Sequence, residues 1–215
     1  EIQKKEKPNF IGSIGLNDKT LKFHKWQKFK VGHMDHYVTL SPFNKKFFIA
    51  QIPKKLEIKK INNSNKIFFR DVNKINIFKF KFDSLFKYQI PQKSKRYLVN
   101  RYLKHPFYNY EIKAGFKNNK ITGIYVLRKI KHNNSHSIKI VDFIGENKNF
   151  KNIKYLLLKI FQSEKIEFAS LYVHGIPKNI LDKSNFILAS KYSGLIIPQY
   201  FEPFFKKEYY NKFCL

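Results

Sequence analysis

The sequence is poor in the residues that mark several common protein classes. It has one cysteine, Cys214, in 215 residues, so an intrachain disulfide is excluded and nothing indicates an oxidising compartment. No run approaches the roughly 20 apolar residues of a membrane-spanning helix, and the first residues carry no apolar signal segment. We therefore expect a cytoplasmic protein without a membrane span.

Glycine is scarce as well, and the glycine-dependent catalytic signatures are missing. The chain has eight glycines and contains no Gly-x-Ser-x-Gly elbow, no Walker loop and no dinucleotide fingerprint. A Cys-x-x-Cys pair is excluded by the single cysteine. The common hydrolase and nucleoside-triphosphatase classes are therefore left without support.

Acidic residues are few, with 15 Asp and Glu against 43 Lys and Arg, and the formal net charge is +28. Such an excess of cations could neutralise phosphates and release counterions from a polyanion. Only four of the cations are arginine, the usual bidentate reader of bases and phosphates, and the lysines are spread along the chain. The pattern favours a solvated surface from an AT-biased coding sequence, and a basic module that binds nucleic acid or other polyanions is the alternative.

The first part of the chain combines one helix signal with short strand signals. Asn17 or Asp18 can cap a helix in which Leu21, Trp26 and Phe29 lie near helical spacing. β-branched and aromatic residues bounded by proline or asparagine turns then predict three strands, over residues 31–40, 46–52 and 66–70.

A sharper pattern follows a boundary predicted near residues 91–94. Two alternating segments flank a polar turn and predict a hairpin, and a later strand, amphipathic helix and strand predict a parallel βαβ unit. The predicted elements are strands 110–116, 121–128 and 138–144, helix 148–162, strand 168–173, a helix near 177–183, and strands 186–190 and 195–197. We predict an α/β chain with an α+β mixed sheet, in which an antiparallel meander is followed by β-α-β-α-β.

The segment 137–161 is the most informative, because its hydrophobic period changes from two to about 3.6 across a single turn. Asp142 and Glu146 bracket the only glycine of that turn, Gly145. A helix that begins here would present its N-terminus to an anion.

Residues 96–204, with this order of strands and helices, resemble the GNAT family of acyl-CoA-dependent N-acyltransferases. A second, partial likeness lies in Gly15-Leu-Asn17 followed by Phe23-His-Lys-Trp-Gln-Lys-Phe29, which resembles the late G-L-N…F-Y-E-K-L-G-F pattern of the family. The resemblance implies two regions: residues 1–92, the C-terminal part of a first GNAT-like module with connecting strands, and residues 93–215, a second GNAT-like domain. Since the chain begins with Glu1 rather than Met, we expect the first module to be truncated.

Two further motifs are similar to those of tandem GNAT-like proteins of bacterial surface-polysaccharide biosynthesis. They are Arg101-Tyr-Leu-Lys-His-Pro-Phe-Tyr-Asn-Tyr110 and Ile197-Pro-Gln-Tyr-Phe-Glu-Pro-Phe204. The resemblance implies transfer of an acetyl or other acyl group from acyl-CoA to an amino sugar or similar amine, and the acceptor is expected to be a small-molecule amine or a sugar nucleotide. The oligomeric state has no signature.

The resemblance also implies where the cofactor binds. The family cradles the CoA pyrophosphate with a Q/R-x-x-G-x-G/A loop at a helix N-terminus, and the corresponding segment here has one glycine and a carboxylate, Glu146. The cofactor-binding residues are then Ile144, Gly145, Asn147, Lys148 and Asn149. The family tyrosine that protonates the thiolate corresponds to His24 in the first half and Leu181 in the second, so acid and base must come from elsewhere.

Three residues are candidates for acid–base catalysis. Asp142 is predicted to share a strand face with Ile138, Ile140 and Ile144, where a desolvated carboxylate could accept a proton. The alternative is a structural aspartate that accepts backbone N–H bonds from the following turn. Glu146 is either a base or a helix-dipole residue. His105 is either a base or part of a segment packed over the sheet.

The substrate-binding candidates lie beside His105. Arg101 could clamp a phosphate or carboxylate, and Tyr108 and Tyr110 could stack on a sugar nucleotide. His33 and His36 have a His-x-x-His spacing that could hold a metal, but no third ligand is visible nearby, so we expect no metal site.

Overall fold

The computed structural model describes residues 13–14, 16–63, 66–90, 92–132, 134–198 and 211–214. Within these ranges one mixed sheet contains nine strands, β1 Ser13–Ile14, β2 Val31–Leu40, β3 Ile67–Val72, β4 Glu111–Lys117, β5 Lys120–His132, β6 Ser135–Ile144, β7 Ile166–Val173, β8 Ile187–Leu188 and β9 Asn211–Cys214. The α-helices are α1 Asp18–Trp26, α2 Asp83–Phe86, α3 Lys95–Leu98, α4 Ile153–Ser163 and α5 Lys178–Lys183. Helix α3 continues into a π-helical turn, Val99–Leu103, and 3₁₀ turns cover Ile77–Lys79, Asn147–Asn152 and Ala189–Lys191.

The strand order is β1-β9-β2-β7-β6-β5-β4-β3, with β8 pairing to β2. Strands β3 to β6 form an antiparallel meander, and β6 pairs with β7 in parallel across α4. This confirms the predicted fold class, because the meander runs into β6-α4-β7-α5-β8. The predicted hairpin closes through Asn118 and Asn119, whose φ values of 49° and 59° fit a tight turn between twisted strands.

The predicted helix and strand near the start of the chain are also confirmed. The Asn17 side chain accepts a hydrogen bond from the Thr20 N–H at 2.8 Å and caps α1, and Leu21 anchors the helix to the interior. Strand β2 then pairs with β7 on one side and with β9 on the other. Strand β3 pairs with β4, so residues on both sides of the predicted 91–94 boundary build the same sheet.

Apolar side chains cover both faces of the sheet. On one face α4 packs over β5, β6 and β7 through Leu157 and Phe161. On the other face α2 and α3 cover β4 and β5, and a separate cluster forms under residues 47–58. No helix within the described ranges has the length and apolar character needed to cross a bilayer.

The strand predicted over residues 46–52 is wrong, for an electrostatic reason. The backbone N–H groups of Phe48, Ile49 and Ala50 donate to the carboxylate of Glu167 at 2.7 to 3.2 Å, and that side chain is fully buried. These N–H groups therefore donate to a carboxylate instead of to the carbonyl groups of a neighbouring strand. Among residues 46–52 only Gln51 forms a β-bridge, to Ile196, so the predicted strand 195–197 is reduced to one residue. The predicted strand 186–190 is shortened to Ile187–Leu188.

Candidate active site

Strands β6 and β7 pair along only part of their length. Their parallel ladder begins at His136 and Ile166 and ends at Lys139 and Ser170. Beyond that pair β6 continues along β5 to Ile144, while β7 continues along β2. The two strands part there, and a cavity of about 470 Å³ opens between residues 140–143 and residues 171–176.

A β-bulge beside this cavity determines which side chains of β6 lie on each face of the sheet. Opposite β5, Val126 pairs with Asp142 and Leu127 pairs with Ile140, so Val141 is the extra residue. The bulge turns Asp142 away from the α4 cluster that holds Ile140. The prediction that Asp142 shares a face with Ile138 and Ile140 is therefore wrong, whereas Ile144 does lie on its side of the sheet.

The Asp142 carboxylate is held by two side chains at the cavity wall. The Lys93 ammonium donates to Oδ1 at 2.6 Å, and the Tyr102 hydroxyl donates to Oδ2 at 2.8 Å. Both described hydrogen bonds come from side chains, rather than from backbone N–H groups of the following turn. Burial, reinforced by the charge of Asp142, raises the pKa of Tyr102, so its hydroxyl stays protonated and remains a donor.

The turn after β6 is shaped by contact with β5. Gly145 has a φ of 151°, and a Cβ atom there would lie 3.0 Å from the Thr122 carbonyl oxygen and 3.2 Å from the Gly123 Cα. Only glycine permits both the dihedral angle and the close approach. The Ile144 side chain is fully buried, so of Ile144 only the backbone could meet a ligand.

Glu146 lies beside Lys148 at the start of the following 3₁₀ turn. It occupies the N-cap position without a side-chain capping bond, and its carboxylate pairs with the Lys148 ammonium at 2.8 Å. The hydrogen bond from this ammonium to Glu146 raises the pKa of Lys148. The negative charge of Glu146 is thus offset by the ammonium of Lys148, two residues later in the sequence.

The predicted helix start at residue 148 is wrong, because a 3₁₀ turn precedes α4, which begins at Ile153. Phe150 is fully buried within that turn. The Asn149 N–H donates to the Glu146 carbonyl at 2.8 Å, and its carbonyl accepts from the Tyr125 hydroxyl at 2.9 Å. Asn147 lines the cavity and donates through Nδ2 to the Gly175 carbonyl at 3.2 Å, which ties the two diverging strands together at this end.

The structure brings one catalytic candidate, His105, and two substrate-binding candidates, Tyr108 and Tyr110, into one aromatic cluster. His105 Nδ1 accepts from the backbone N–H groups of Phe107 and Tyr108, and its ring stacks on Tyr108 with centroids 5.0 Å apart. Tyr110 lies 5.4 Å from His105 and 5.1 Å from Tyr102. This cluster therefore continues to Asp142 through Tyr102. Arg101 is exposed on the π-helical turn.

Lys139 is a buried cation that sequence analysis did not single out. Its ammonium is fully buried and donates to Ser170 Oγ at 2.8 Å and to the Pro198 carbonyl at 3.0 Å. Burial, and then the charge of Arg128, lowers its pKa to about 7. Ser137 and Lys139 alternate with isoleucines, which is typical of a strand with one face toward solvent. The sequence therefore held no signal for a buried amine.

His36 is the second buried base of this region. Its ring stacks on Tyr172 with centroids 4.2 Å apart, and burial, followed by the charge of Lys139, lowers its pKa to about 3. Within the described ranges no group of three or more His, Cys, Asp or Glu residues is placed to bind a metal. The pairing of His33 with His36 therefore gains no further ligand there.

Comparisons with known proteins give matches among solved structures alone. No family model and no curated protein matches the chain. A functionally unknown conserved protein from Staphylococcus epidermidis superimposes with a TM-score of 0.52 at 11% identity, over 95% of this chain and 69% of that one. A GCN5-related N-acetyltransferase from Anabaena variabilis superimposes with a TM-score of 0.54 at 8% identity, over 99% of this chain. The chain has the GNAT fold.

At these identities the likeness concerns the GNAT fold alone. This chain covers 47% of the Anabaena variabilis protein, about half of its length. In the present chain β6 and β7 separate after Lys139 and Ser170, and the cavity and Asp142 lie where they separate.

Proposed function

We propose that the chain is a GNAT-type acyltransferase that moves an acyl group from acyl-CoA to an amine in the cavity between β6 and β7. The observation that carries this proposal is the parting of the two strands after Lys139 and Ser170, with the Asp142 carboxylate at the wall of the cavity. A carboxylate beside an open slot in the sheet can take the proton that an attacking amine must lose.

The acyl-CoA arm suits the shape of the slot. Between residues 140–143 and 171–173 the two strands no longer bond to each other, so an extended chain with amide groups can lie between their edges as an added strand does. When bound, CoA supplies the acyl group as an activated thioester. This fit concerns the arm rather than the pyrophosphate.

For the pyrophosphate we retain the predicted turn, with different contributions from its members. Asn147 lines the cavity, and Lys148 supplies a cation. Ile144 and Gly145 can offer only backbone groups to the pyrophosphate. The Asn149 N–H already donates to the Glu146 carbonyl, so Asn149 can offer only its side chain. This arrangement relies on a side-chain cation more than on a helix N-terminus.

Asp142 is the first choice for the general base, because it alone of the three candidates lines the cavity. Tyr102 stays protonated and holds Oδ2, which fixes the carboxylate against the strand. Glu146 is paired with Lys148, and His105 Nδ1 is occupied by backbone donors, which leaves only Nε2 for proton transfer. We rank both behind Asp142.

We place the acceptor against the aromatic cluster of His105, Tyr108 and Tyr110, which reaches Asp142 through Tyr102. Planar rings with polar edges suit an amino sugar or sugar nucleotide. Exposed Arg101 is then a contact for a phosphate. A role in surface-polysaccharide biosynthesis rests on the motif resemblance, and the expected cytoplasmic location rests on the single cysteine.

For the chain as a whole we retain two regions, 1–92 and 93–215. In this proposal β1, β2 and β3 are the strands that the first region adds to the sheet of the second. The tandem arrangement likewise rests on the sequence motifs.

Calorimetric titration with acetyl-CoA at moderate salt tests the proposal. We expect saturable binding by the wild-type chain and by Asp142→Asn, and release of CoA with an amino sugar by the wild type alone. Failure of acetyl-CoA to bind would refute the enzyme function.

The net charge of +28 favours one second candidate, a basic module that binds polyanions without chemistry. It predicts DNA or RNA binding that weakens steeply as salt rises. Absence of that binding would remove this candidate.

A further inference from the structure

The ammonium group of Lys93 lies in a ready-made set of acceptors at the cavity wall. Its Nζ donates to Asp142 Oδ1 at 2.6 Å and to Gln89 Oε1 at 3.2 Å, and it lies 5.8 Å from the centre of the Tyr97 ring. Asp142 and Gln89 both line the cavity. The side chain of Lys93 is 16% exposed, so the chain itself fills this position.

These acceptors select a primary ammonium over other cations. An ammonium has three N–H donors, and here it meets a carboxylate oxygen, an amide oxygen and an aromatic face. A guanidinium prefers both oxygens of a carboxylate, but Asp142 Oδ2 is taken by Tyr102. A quaternary ammonium has no N–H group to donate.

We propose that Asp142, Gln89 and Tyr97 form a subsite for a primary alkylammonium group, and that Lys93 occupies it until a ligand displaces it. Given the proposed function, which this inference deepens, the ligand is the amine of the acyl acceptor. The acceptor then enters as a cation and lies next to the carboxylate that removes its proton. Lys93 competes with it from within the chain.

The position of Lys93 in the fold makes displacement feasible. It lies in the connection between α2 and α3, together with Gln89, and the neighbouring Tyr88 and Ile90 line the cavity while being 45% and 95% exposed. A side chain can rotate out of the subsite without breaking a strand ladder. Asp142, by contrast, is fixed on β6.

The test compares two variants that both remove the cation. Lys93→Ala leaves the subsite empty of side-chain atoms, whereas Lys93→Met refills it with an uncharged stem. Propylammonium is titrated by calorimetry and thermal shift. Because a hydrogen bond to a charged group is gained, we expect Lys93→Ala to bind propylammonium about tenfold more tightly than Lys93→Met or the wild type. Tetramethylammonium and 1-propanol should not bind, and adding Asp142→Asn to Lys93→Ala should abolish the gain.

Equal binding by the Ala and Met variants, or equal binding of tetramethylammonium, would overturn the proposal. If Lys93→Ala does not fold, amine-directed labelling read by mass spectrometry replaces it. Lys93 in the wild type should then react about tenfold more slowly than exposed Lys104, and Asp142→Asn should remove the difference. Equal rates in the wild type would contradict the occupancy of the subsite.

The ammonium titration is independent of acyl transfer. Propylammonium binding without acetyl-CoA binding would refute the proposed enzyme and keep the subsite. Acetyl-CoA binding without tighter propylammonium binding by Lys93→Ala would keep the proposed enzyme and refute the subsite.

Discussion

The β6–β7 junction has a closed end and an open end, and they hold polar groups in different ways. At the closed end, residues 137–139 and 166–170, Glu167 and Lys139 are fully buried and bond in part to backbone groups of residues 48–50 and 198. At the open end, residues 140–144 and 171–176, Asp142 bonds to the side chains of Lys93 and Tyr102.

The difference separates structural from exchangeable contacts. A backbone donor cannot leave its acceptor unless its whole segment moves, whereas a lysine or tyrosine side chain can rotate to another position. Glu167 therefore acts as an anchor for residues 48–50, and Asp142 as a group that can accept a ligand in place of a neighbour. Burial alone would not have distinguished them, because Asp142 is also only 11% exposed.

The largest effect is expected at the open end, on activity. Asp142→Asn keeps the shape of the side chain but cannot accept a proton at neutral pH. Given the proposed function, we expect kcat/KM to fall by about 10² to 10⁴-fold, measured as CoA release with an acyl acceptor. Glu146→Gln is the control, since the Glu146 carboxylate is paired with Lys148 and is not among the residues that line the cavity. A loss at Glu146 that matches the loss at Asp142 would mean that the base has been misassigned.

At the closed end the expected effect is on stability. Glu167→Ala leaves three backbone N–H donors without their carboxylate, and we expect the free energy of unfolding to fall by at least about 3 kcal/mol. Urea denaturation measures it. Glu146→Ala, whose ion pair is at the surface, should change stability little. If Glu167→Ala unfolds at the same urea concentration as the wild type, the anchoring role is wrong.

Two glycines at the open end should respond unequally to alanine. Gly145→Ala introduces both an unfavourable φ and a contact with β5, so we expect a loss of about 2 to 3 kcal/mol. Gly175 has a φ of 89°, and no atom lies within 4 Å of an added Cβ. Gly175→Ala should therefore cost only the backbone term, about 1 kcal/mol. Equal losses in thermal denaturation would argue against the packing of Gly145 on β5.

The last prediction concerns a pH dependence at the closed end. In the unfolded chain Lys139 holds its proton up to about pH 10.5, but in the folded chain its pKa is about 7. Between these values the unfolded state binds more protons, so stability rises with pH by at most about 1.4 kcal/mol per pH unit. Lys139→Met should lose this increment when unfolding is followed from pH 7 to pH 9. A slope identical to that of the wild type would show that the folded amine keeps its ordinary pKa.

The hairpin, the parallel pair and the end of β6 were predictable because their signals are local. Asparagines supply the positive φ of the β4–β5 turn, and the change of period after Ile144 marks the end of β6. Apolar spacing on α4 predicts its buried face, including Leu157 and Phe161. These features depend on residues close together in the sequence.

The partners in the site depend on contacts between distant segments, and they could not be predicted. Nothing around residues 46–52 indicates that Glu167 will take their donors. The bulge at Val141 moves the Asp142 side chain to the opposite face of the sheet, and no glycine or proline in β6 indicates a bulge there. Lys93 reaches Asp142 from the predicted boundary segment and Tyr102 from a helical turn, so their roles appear only in three dimensions.

Strand β2 has a consequence for how the chain is made. Residues 35–40 leave the ribosome well before their partners on β7, residues 168–173, are synthesised. Loop closure over that separation is slow, so β2 must wait while the β3–β6 meander forms from local contacts. We expect the meander to be protected first in pulsed hydrogen exchange, and β2 and β7 to be protected together at the end.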